Sequence, residues 1–228
     1  MTIKNFFNNH YLRHNSRRLE HLASLGLDLS SKSVLEVGAG VGPHTNFFID
    51  RKCNVTSTDA RLDLIKQLNH MYPRVKTYQW SLEDVAPFKK KFDVVYAYGV
   101  LYHTSDPYKV LENLSLRSKG MLLLETCVTD GDSLDAHVVN ENQDDLTQSS
   151  SGKGCRPTRT FIFNGLKDFF PFVYITKTQP FHEEFPIKWS KGKRSISKKL
   201  IRSVFVASRY EIKNKLLSKK LVYKQDRI

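Results

Sequence analysis

A glycine-rich turn after a short apolar strand constrains the fold of this chain more than any other feature. The run VLEVGAGVG begins at Val34, carries the acidic Glu36, and then places glycines at positions 38, 40 and 42. Glycine lets the backbone bend sharply and approach a ligand with no Cβ in the way. The dinucleotide pattern G-x-G-x-x-G would need its third glycine at position 43, where this chain has proline. The turn therefore predicts a ligand-binding loop and disfavours a nicotinamide-dependent dehydrogenase.

Asp59 ends the second predicted strand, 21 residues after Gly38. A carboxylate at that position can accept hydrogen bonds from both ribose hydroxyls of an adenosine. In open α/β sheets, ligands bind outside the carboxyl ends of the strands. The turn and Asp59 together predict a cofactor that contains adenosine and lies over this edge.

Apolar, β-branched runs alternate with helical patterns from residue 33 onward, which predicts an α/β fold with a doubly wound, mostly parallel sheet. The last two of seven predicted strands can pair as a hairpin around a basic loop at 188–199, which makes the C-terminal strand antiparallel. The predicted strands are 33–39, 54–60, 75–80, 92–99, 121–128, 172–179 and 202–209, and the predicted helices are 11–25, 44–52, 61–71, 107–117 and 164–170.

The chain of 228 residues is long enough for a single domain with one sizeable core. Within it we expect a helical cap at 1–32, a lid-like insertion at 129–162, and a basic C-terminal helix or tail at 210–228. The insertion is polar and rich in glycine and serine, and a connection of that length inside a compact domain is usually functional.

Composition excludes several classes of protein. Hydrophobic residues make up 40% and charged residues 26%, which argues against a disordered chain. The three cysteines include no C-x-x-C pair and the histidines are scattered, so we expect neither a disulfide framework nor a metal site. With no predicted signal peptide or membrane span, we expect a cytoplasmic protein with no membrane partner. The oligomeric state is left open.

Positive charge is concentrated in the last third of the chain. Residues 1–150 carry a net charge of −1 and residues 151–228 carry +14. A one-sided basic region can attract nucleic acid or anionic ligands. A solvated, lysine-rich surface explains it equally well, since RNA-binding signatures are missing from the sequence.

The glycine turn is similar to motif I of class I S-adenosylmethionine (SAM) methyltransferases. The segment WSLED from Trp80 resembles the family's adenine-binding region, and FDVVYAYG from Phe92 resembles the strand under the methionine part of the cofactor. The resemblance implies a Rossmann-like seven-stranded sheet, SAM as cofactor and S-adenosylhomocysteine (SAH) as product. It implies cofactor contacts from Glu36, Gly38, Gly40, Gly42, Asp59, Ala60, Arg61, Leu82, Glu83 and Tyr98, and a cap helix over the cofactor would add Tyr11 and Arg13.

Two further segments resemble the tRNA wobble-uridine carboxymethyltransferases. The run GVLYH at 99–103 and the run LETCVTDGD at 124–132 match that family's segments. In that family a tyrosine and a C-terminal arginine hold the extra carboxylate of carboxy-SAM, and Tyr102 and Arg202 occupy those positions here. The family's Trp-rich N-terminal extension and its carboxylate-binding lysine have no counterpart in the roughly 30 residues before the first strand. SAM is therefore the expected donor and carboxy-SAM the alternative.

Methyl transfer relies on the cofactor for activation, so the protein mainly aligns the reactants and accepts a proton where needed. His103 is the candidate base and Tyr102 the candidate orienting group, although His103 could instead order its loop. Arg156 and Arg159 suit a carboxylate or phosphate on the acceptor, or could pair with the acidic run NENQDD that begins at Asn140. The predicted acceptor-binding residues are Glu125, Arg156, Arg159, His182 and Arg202.

The sequence thus predicts a SAM-dependent methyltransferase that acts on a small acceptor, anionic if the arginines contact it. One alternative is a tRNA- or RNA-modifying methyl- or carboxymethyltransferase. A second is a non-catalytic, SAM-binding subunit that supports a partner.

Overall fold

Eight strands form one sheet in the computed structural model, which describes residues 3–192 and 200–228. The first five strands along the chain are β1 (Ser33–Val37), β2 (Asn54–Asp59), β3 (Lys76–Gln79), β4 (Phe92–Tyr98) and β5 (Ser118–Val128). The later strands of this sheet are β8 (Phe172–Thr176), β10 (Ile201–Ser208) and the two-residue β11 (Leu217–Ser218).

The strand order is β11-β8-β10-β5-β4-β1-β2-β3. β1 pairs in parallel with both β2 and β4, and β4 pairs in parallel with β5. β10 is antiparallel to both of its main neighbours, β5 and β8. The predicted mostly parallel sheet with an antiparallel C-terminal strand is confirmed, with β11 as a short addition at the edge.

Within the described part of the chain, five α-helices pack on the sheet: α1 (Asn9–Ser24), α2 (Thr45–Ile49), α3 (Leu62–Met71), α4 (Pro107–Arg117) and α5 (Arg159–Phe169). Leu111 of α4 and Leu166 of α5 are buried in the core on one face. Leu22 of α1 and Phe48 of α2 are buried in the core on the opposite face. Because side chains on both faces of the central strands are buried, these strands appear in the sequence as continuous apolar runs.

Side-chain caps explain where three helices begin. Asn8 caps α1 by accepting from the Tyr11 amide at 2.8 Å, and Asp106 caps α4 in front of Pro107. The fifth helix was predicted at 164–170, but it starts five residues earlier because the Thr158 hydroxyl accepts from the Phe161 amide at 3.0 Å. The sequence prediction missed this cap.

The polar stretch predicted as a lid-like insertion contains an antiparallel hairpin, β6 (Ala136–Asn140) and β7 (Lys153–Pro157). Cys155 of β7 is fully buried in the core, so the hairpin is anchored to the body of the protein. The turn between its strands, residues 141–152, is called the insertion loop below.

The remaining elements refine the C-terminal expectations. The strand predicted at 172–179 divides into β8 and β9 (Thr178–Gln179), and β9 pairs in parallel with β12 (Asp226–Arg227). The segment 210–228 is therefore a tail with short strands and contains no helix. Residues 193–199 of the predicted basic loop lie outside the described residues. None of the helices within 3–192 and 200–228 is long and apolar enough to cross a membrane.

We expect Leu123→Ala in β5 to lower the free energy of unfolding by about 2–5 kcal/mol, because it leaves a cavity in a fully buried strand. The control is Leu116→Ala on the exposed side of α4, which should change the free energy of unfolding by less than about 0.5 kcal/mol. Urea denaturation of both variants measures the two values. Equal losses would contradict the position of β5 at the centre of the core.

Candidate active site

A cavity of about 410 Å³ opens over the carboxyl ends of β1, β2 and β4. Its volume is in the range of small-molecule binding sites. The glycine turn and the ends of these strands form its floor, α1 closes one side, and the insertion loop closes another. The predicted cofactor residues that line it are Tyr11, Gly38, Gly40, Asp59, Ala60, Arg61, Leu82, Glu83 and Tyr98.

The glycine turn needs glycine for both conformation and space. Gly38 and Gly40 have φ angles of +66° and +58°, in the left-handed region that disfavours side chains. A Cβ on Gly38 would lie 2.4 Å from the Val100 side chain, and one on Gly40 would lie 2.9 Å from the ring of Phe6. The turn therefore keeps the backbone exposed to the cavity.

Asp59 is held in place by backbone amides and faces this turn. Its Oδ2 accepts from the Gly40 amide at 2.9 Å and its Oδ1 accepts from the Arg61 amide at 3.0 Å. Burial raises the pKa of Asp59, and these two amides oppose the shift. A carboxylate has about four acceptor positions, so each oxygen retains capacity for one hydroxyl donor.

Tyr98 contributes a buried hydroxyl that is not satisfied by the described part of the protein. Its hydroxyl is buried against the cavity and has no hydrogen-bond partner in the described part of the chain. An orphaned buried hydroxyl is rare and is satisfied by a ligand or water. Asp59 and Tyr98 thus fit a cofactor with a sugar and a polar tail.

Arg61 lines the cavity but points toward the insertion loop. Its Nη2 lies within hydrogen-bond distance of four backbone carbonyl oxygens of that loop, those of Gln143 (2.8 Å), Asp145 (3.1 Å), Gln148 (3.3 Å) and Ser149 (3.1 Å). A nitrogen with two hydrogens shares them among these acceptors. Arg61 therefore fastens the insertion loop over the cavity.

Glu83 and Leu82 follow β3 at the predicted adenine region. Glu83 Oε1 accepts from the Ser105 amide and hydroxyl and from the Asp106 amide, at 2.6–2.9 Å. One carboxylate oxygen thus orders the turn before α4, and Oε2 is the oxygen left for a ligand.

Three predicted cofactor residues do not line the cavity. Glu36 lies beneath the turn and accepts from the Thr45 and Ser57 hydroxyls, each at 2.7 Å. Gly42 packs against the side chain of Tyr72. Arg13 lies on the surface and pairs with Glu183 at 2.5 Å. These residues support the site rather than face it.

Tyr102 and His103 lie on a 3₁₀ turn directly after β4 and both line the cavity. His103 Nδ1 is 2.5 Å from Glu141 Oε2, at the start of the insertion loop. The same carboxylate accepts from the Ser149 amide at 2.9 Å and pairs with Arg156 at 3.3 Å. Sequence reasoning missed Glu141 as a partner of His103, although its acidic run was the alternative partner for Arg156, and that pairing is observed.

The state of His103 follows from its surroundings. Burial lowers its pKa, and the hydrogen bond and charge of Glu141 partly offset that effect. The imidazole is therefore neutral near pH 7. Because Nδ1 is engaged by Glu141, Nε2 is the nitrogen left to accept a proton.

Arg202 and Glu125 form a buried charge network behind Tyr102. Arg202 donates to the Tyr102 hydroxyl at 3.1 Å, to Glu125 at 3.1 Å and to Glu184 at 2.5 Å. The other oxygen of Glu125 binds Arg18 of α1. Sequence reasoning placed Arg18 on the cap helix but missed it as a site residue. No local sequence signal points to this role, which appears only in the fold, where a Cβ on Gly99 would lie 2.5 Å from the Arg18 guanidinium.

Three predicted acceptor-binding residues do not line the cavity: Glu125, which is fully buried in β5 behind Tyr102, Arg159 and His182. Arg159 stacks on Trp189, 4.0 Å from the ring centroid, and donates to the Val222 carbonyl at 2.8 Å. His182 is buried beside His10 and His14 of α1. Of the three arginines predicted for the acceptor, Arg156 and Arg202 line the cavity.

Comparison with known proteins identifies the family. A family model described as "Methyltransferase domain" matches residues 8–162. The chain is similar to the tRNA U34 carboxymethyltransferase of Alteromonas mediterranea, with 33% identity over 126 residues. That match covers 50% of this chain and 38% of the relative, so the similarity spans well under half of the longer protein.

Solved structures share the fold at low sequence identity. The N-terminal domain of EvdMO1 with SAH bound has a TM-score of 0.63 and 17% identity, covering 85% of this chain and 80% of that one. Magnesium protoporphyrin IX methyltransferase from Synechocystis PCC 6803 with bound SAM has a TM-score of 0.56 and 13% identity, covering 88% and 80%.

Glu36 generates a testable pH dependence. Burial raises its pKa to about 7 from an ordinary value of 4.5, and the hydrogen bonds from Thr45 and Ser57 oppose the shift. The folded state therefore holds this proton more tightly than the unfolded state, and stability is lost as pH rises through that interval. Glu36→Gln keeps an acceptor oxygen but cannot ionise.

We expect the melting temperature of Glu36→Gln, relative to the unmodified protein, to increase between about pH 5 and about pH 8. Thermal denaturation of both proteins across that range measures the difference between their melting temperatures. The titration of other groups affects both proteins and cancels in that difference. A constant difference would show that Glu36 ionises freely in the folded state.

Proposed function

The chain belongs to the Methyltransferase domain family, and from that premise we propose that it is a SAM-dependent methyltransferase that acts on a small acceptor. The observation that carries the proposal is Asp59. It is a buried carboxylate, held by two backbone amides, with free acceptor capacity at the glycine turn.

The residues that line the cavity support a specific binding position for the cofactor. Asp59 would accept the two ribose hydroxyls, Leu82 and Glu83 would border the adenine, and Tyr98 would offer its free hydroxyl to the methionine part. Bound SAM supplies a methyl group activated by its sulfonium. The protein's part is then to align the acceptor, exclude water and receive a proton.

The pair of His103 and Glu141 supports a role in proton transfer. Glu141 holds Nδ1 of His103, which orients the ring and stabilises the imidazolium that forms when Nε2 takes a proton. A neutral imidazole near pH 7 is ready to act as a base. The acceptor would thus be an oxygen or nitrogen nucleophile that loses a proton on methylation.

The closure of the cavity favours a small acceptor. Helix α1 and the insertion loop both border it, and Arg61 fastens that loop. Arg156 pairs with Glu141, and Arg202 pairs with Glu125 and Glu184. Since these guanidinium groups already have carboxylate partners, the proposal does not require an anionic acceptor.

The first test is cofactor binding by Asp59→Asn. We expect at least about tenfold weaker binding of SAH, because an amide loses the charge that strengthens its bonds to the ribose hydroxyls. The matched control is Asp63→Asn, one turn along on the exposed side of α3. Isothermal titration calorimetry measures both variants. Equal SAH affinities of the Asp59 and Asp63 variants would refute this binding position for the cofactor.

The second test addresses the base. The acceptor is sought by incubating the protein with metabolite extract and SAM that carries an isotopically labelled methyl group, followed by mass spectrometry. With that acceptor, His103→Asn should lower kcat by about 100-fold or more while the SAH affinity is kept. A loss of SAH binding in parallel with kcat would assign His103 to the cofactor instead. SAH binding without any labelled product would favour the non-catalytic subunit.

A tRNA-modifying function is the second candidate, and one observation favours it. Tyr102 and Arg202, the positions that correspond to the carboxylate-binding pair of the carboxymethyltransferases, lie 3.1 Å apart. The relative from Alteromonas mediterranea is named for tRNA U34 carboxymethylation. Adding tRNA to the labelling experiment, with labelled carboxy-SAM in a parallel reaction, distinguishes the candidates. Label in tRNA from either donor would replace the small acceptor.

A further inference from the structure

Three histidines and two glutamates meet where α1 packs against the turn at 181–184. His10 and His14 lie one helical turn apart on the same face of α1. The ring of His182 lies 5.3 Å from that of His10 and 4.7 Å from that of His14, centroid to centroid. Glu183 and Glu184 follow His182 directly. No metal site was predicted because the histidines are scattered along the sequence, but the fold brings His182 to the two histidines of α1.

Two imidazole nitrogens in this cluster are buried and unused. Nε2 of His14 and Nε2 of His182 have no hydrogen-bond partner within residues 3–192 and 200–228. The two residues are 3% and 1% exposed, respectively. A buried polar atom without a partner is costly, so such nitrogens mark a place where a ligand is missing.

Each glutamate of the cluster has one oxygen anchored and one turned toward an imidazole. Glu183 binds Arg13 through Oε1, and its Oε2 lies 3.6 Å from His182 Nε2. Glu184 binds Arg202 through Oε2, and its Oε1 lies 3.3 Å from His10 Nε2. Anchoring of this kind orients the ligands around a metal ion.

We propose that His10, His182 and Glu183, with His14 as the fourth ligand, form a binding site for a divalent transition-metal ion. Ligand atoms of His10, His182 and Glu183 all lie within 4.8 Å of one another. Zinc–ligand bonds of about 2.0–2.2 Å require ligand atoms roughly 3.3 Å apart, so modest rotations of the exposed His10 and Glu183 bring these three ligand atoms to that spacing. Imidazole with one carboxylate suits Zn²⁺ in tetrahedral geometry.

The position of the site gives the ion a function. It joins the cap helix α1 to the turn at 181–184, and Glu184 connects that turn through Arg202 to Tyr102. His10, His14 and Glu184 also border the cavity. The ion therefore fastens α1 over the candidate active site. Metal binding does not depend on methyl transfer, so either can be disproved without the other.

The test is titration of the metal-free full chain with Zn²⁺ against a chromogenic chelator. We expect one Zn²⁺ per chain and at least about tenfold weaker binding in His10→Ala and in Glu183→Gln, since loss of even an outer-shell partner costs roughly 10–100-fold. Both residues are exposed, so neither change threatens folding, and circular dichroism verifies this. The control is His70→Ala on the exposed side of α3, which should bind like the unmodified protein.

Co²⁺ substitution identifies the ligands independently. Tetrahedral coordination by imidazole and carboxylate gives visible d–d absorption without the intense near-ultraviolet band of a thiolate. A thiolate band would place the ion on a cysteine and overturn the proposal. So would the lack of stoichiometric Zn²⁺ binding, or equal affinities for His10→Ala and His70→Ala.

Discussion

A fully buried carboxylate, Glu125, connects the parts of this protein that form the candidate site. It lies in the central strand β5 and binds Arg202 of β10 on one side and Arg18 of the cap helix on the other. Removing one partner from a buried ion pair costs about 3–5 kcal/mol because the other charge is left uncompensated. The position of α1 over the sheet, the side chain of Tyr102 and the orientation of Glu184 all depend on these contacts.

Contacts from charged side chains also close the cavity on the side of the insertion loop. Arg61 binds the carbonyls of the insertion loop, and Glu141 of that loop binds His103 and Arg156. Several polar residues predicted to contact ligand thus contact the protein itself and shape the space that a ligand would fill. Among the predicted cofactor residues, Asp59, Glu83 and Tyr98 keep unused hydrogen-bonding capacity toward the cavity.

The fold was largely predictable, and the methyltransferase resemblance is confirmed by the family match. Strand runs such as 92–99 and 121–128 were located because both faces of those strands are apolar and buried. The start of α5 was missed because it depends on one threonine hydroxyl. Individual site residues remain predictions, and the structure separates them into those that line the cavity and those, such as Glu36, Arg13 and Arg159, that do not.

Strand periodicity, the glycine spacing and the position of Asp59 are properties of short segments, so the α/β class and the glycine turn were predictable from the sequence, and the same segments predict the ligand edge. The partners of the charged groups, in contrast, are set by tertiary packing. His103 meets Glu141 across 38 residues, Arg202 meets Tyr102 across 100, and Arg18 meets Glu125 across 107. No local pattern encodes such pairings, because burial beside a particular partner sets where each guanidinium and imidazole points. The cluster of His10, His14 and His182 arises in the same way, from the packing of α1 on a turn more than 150 residues away.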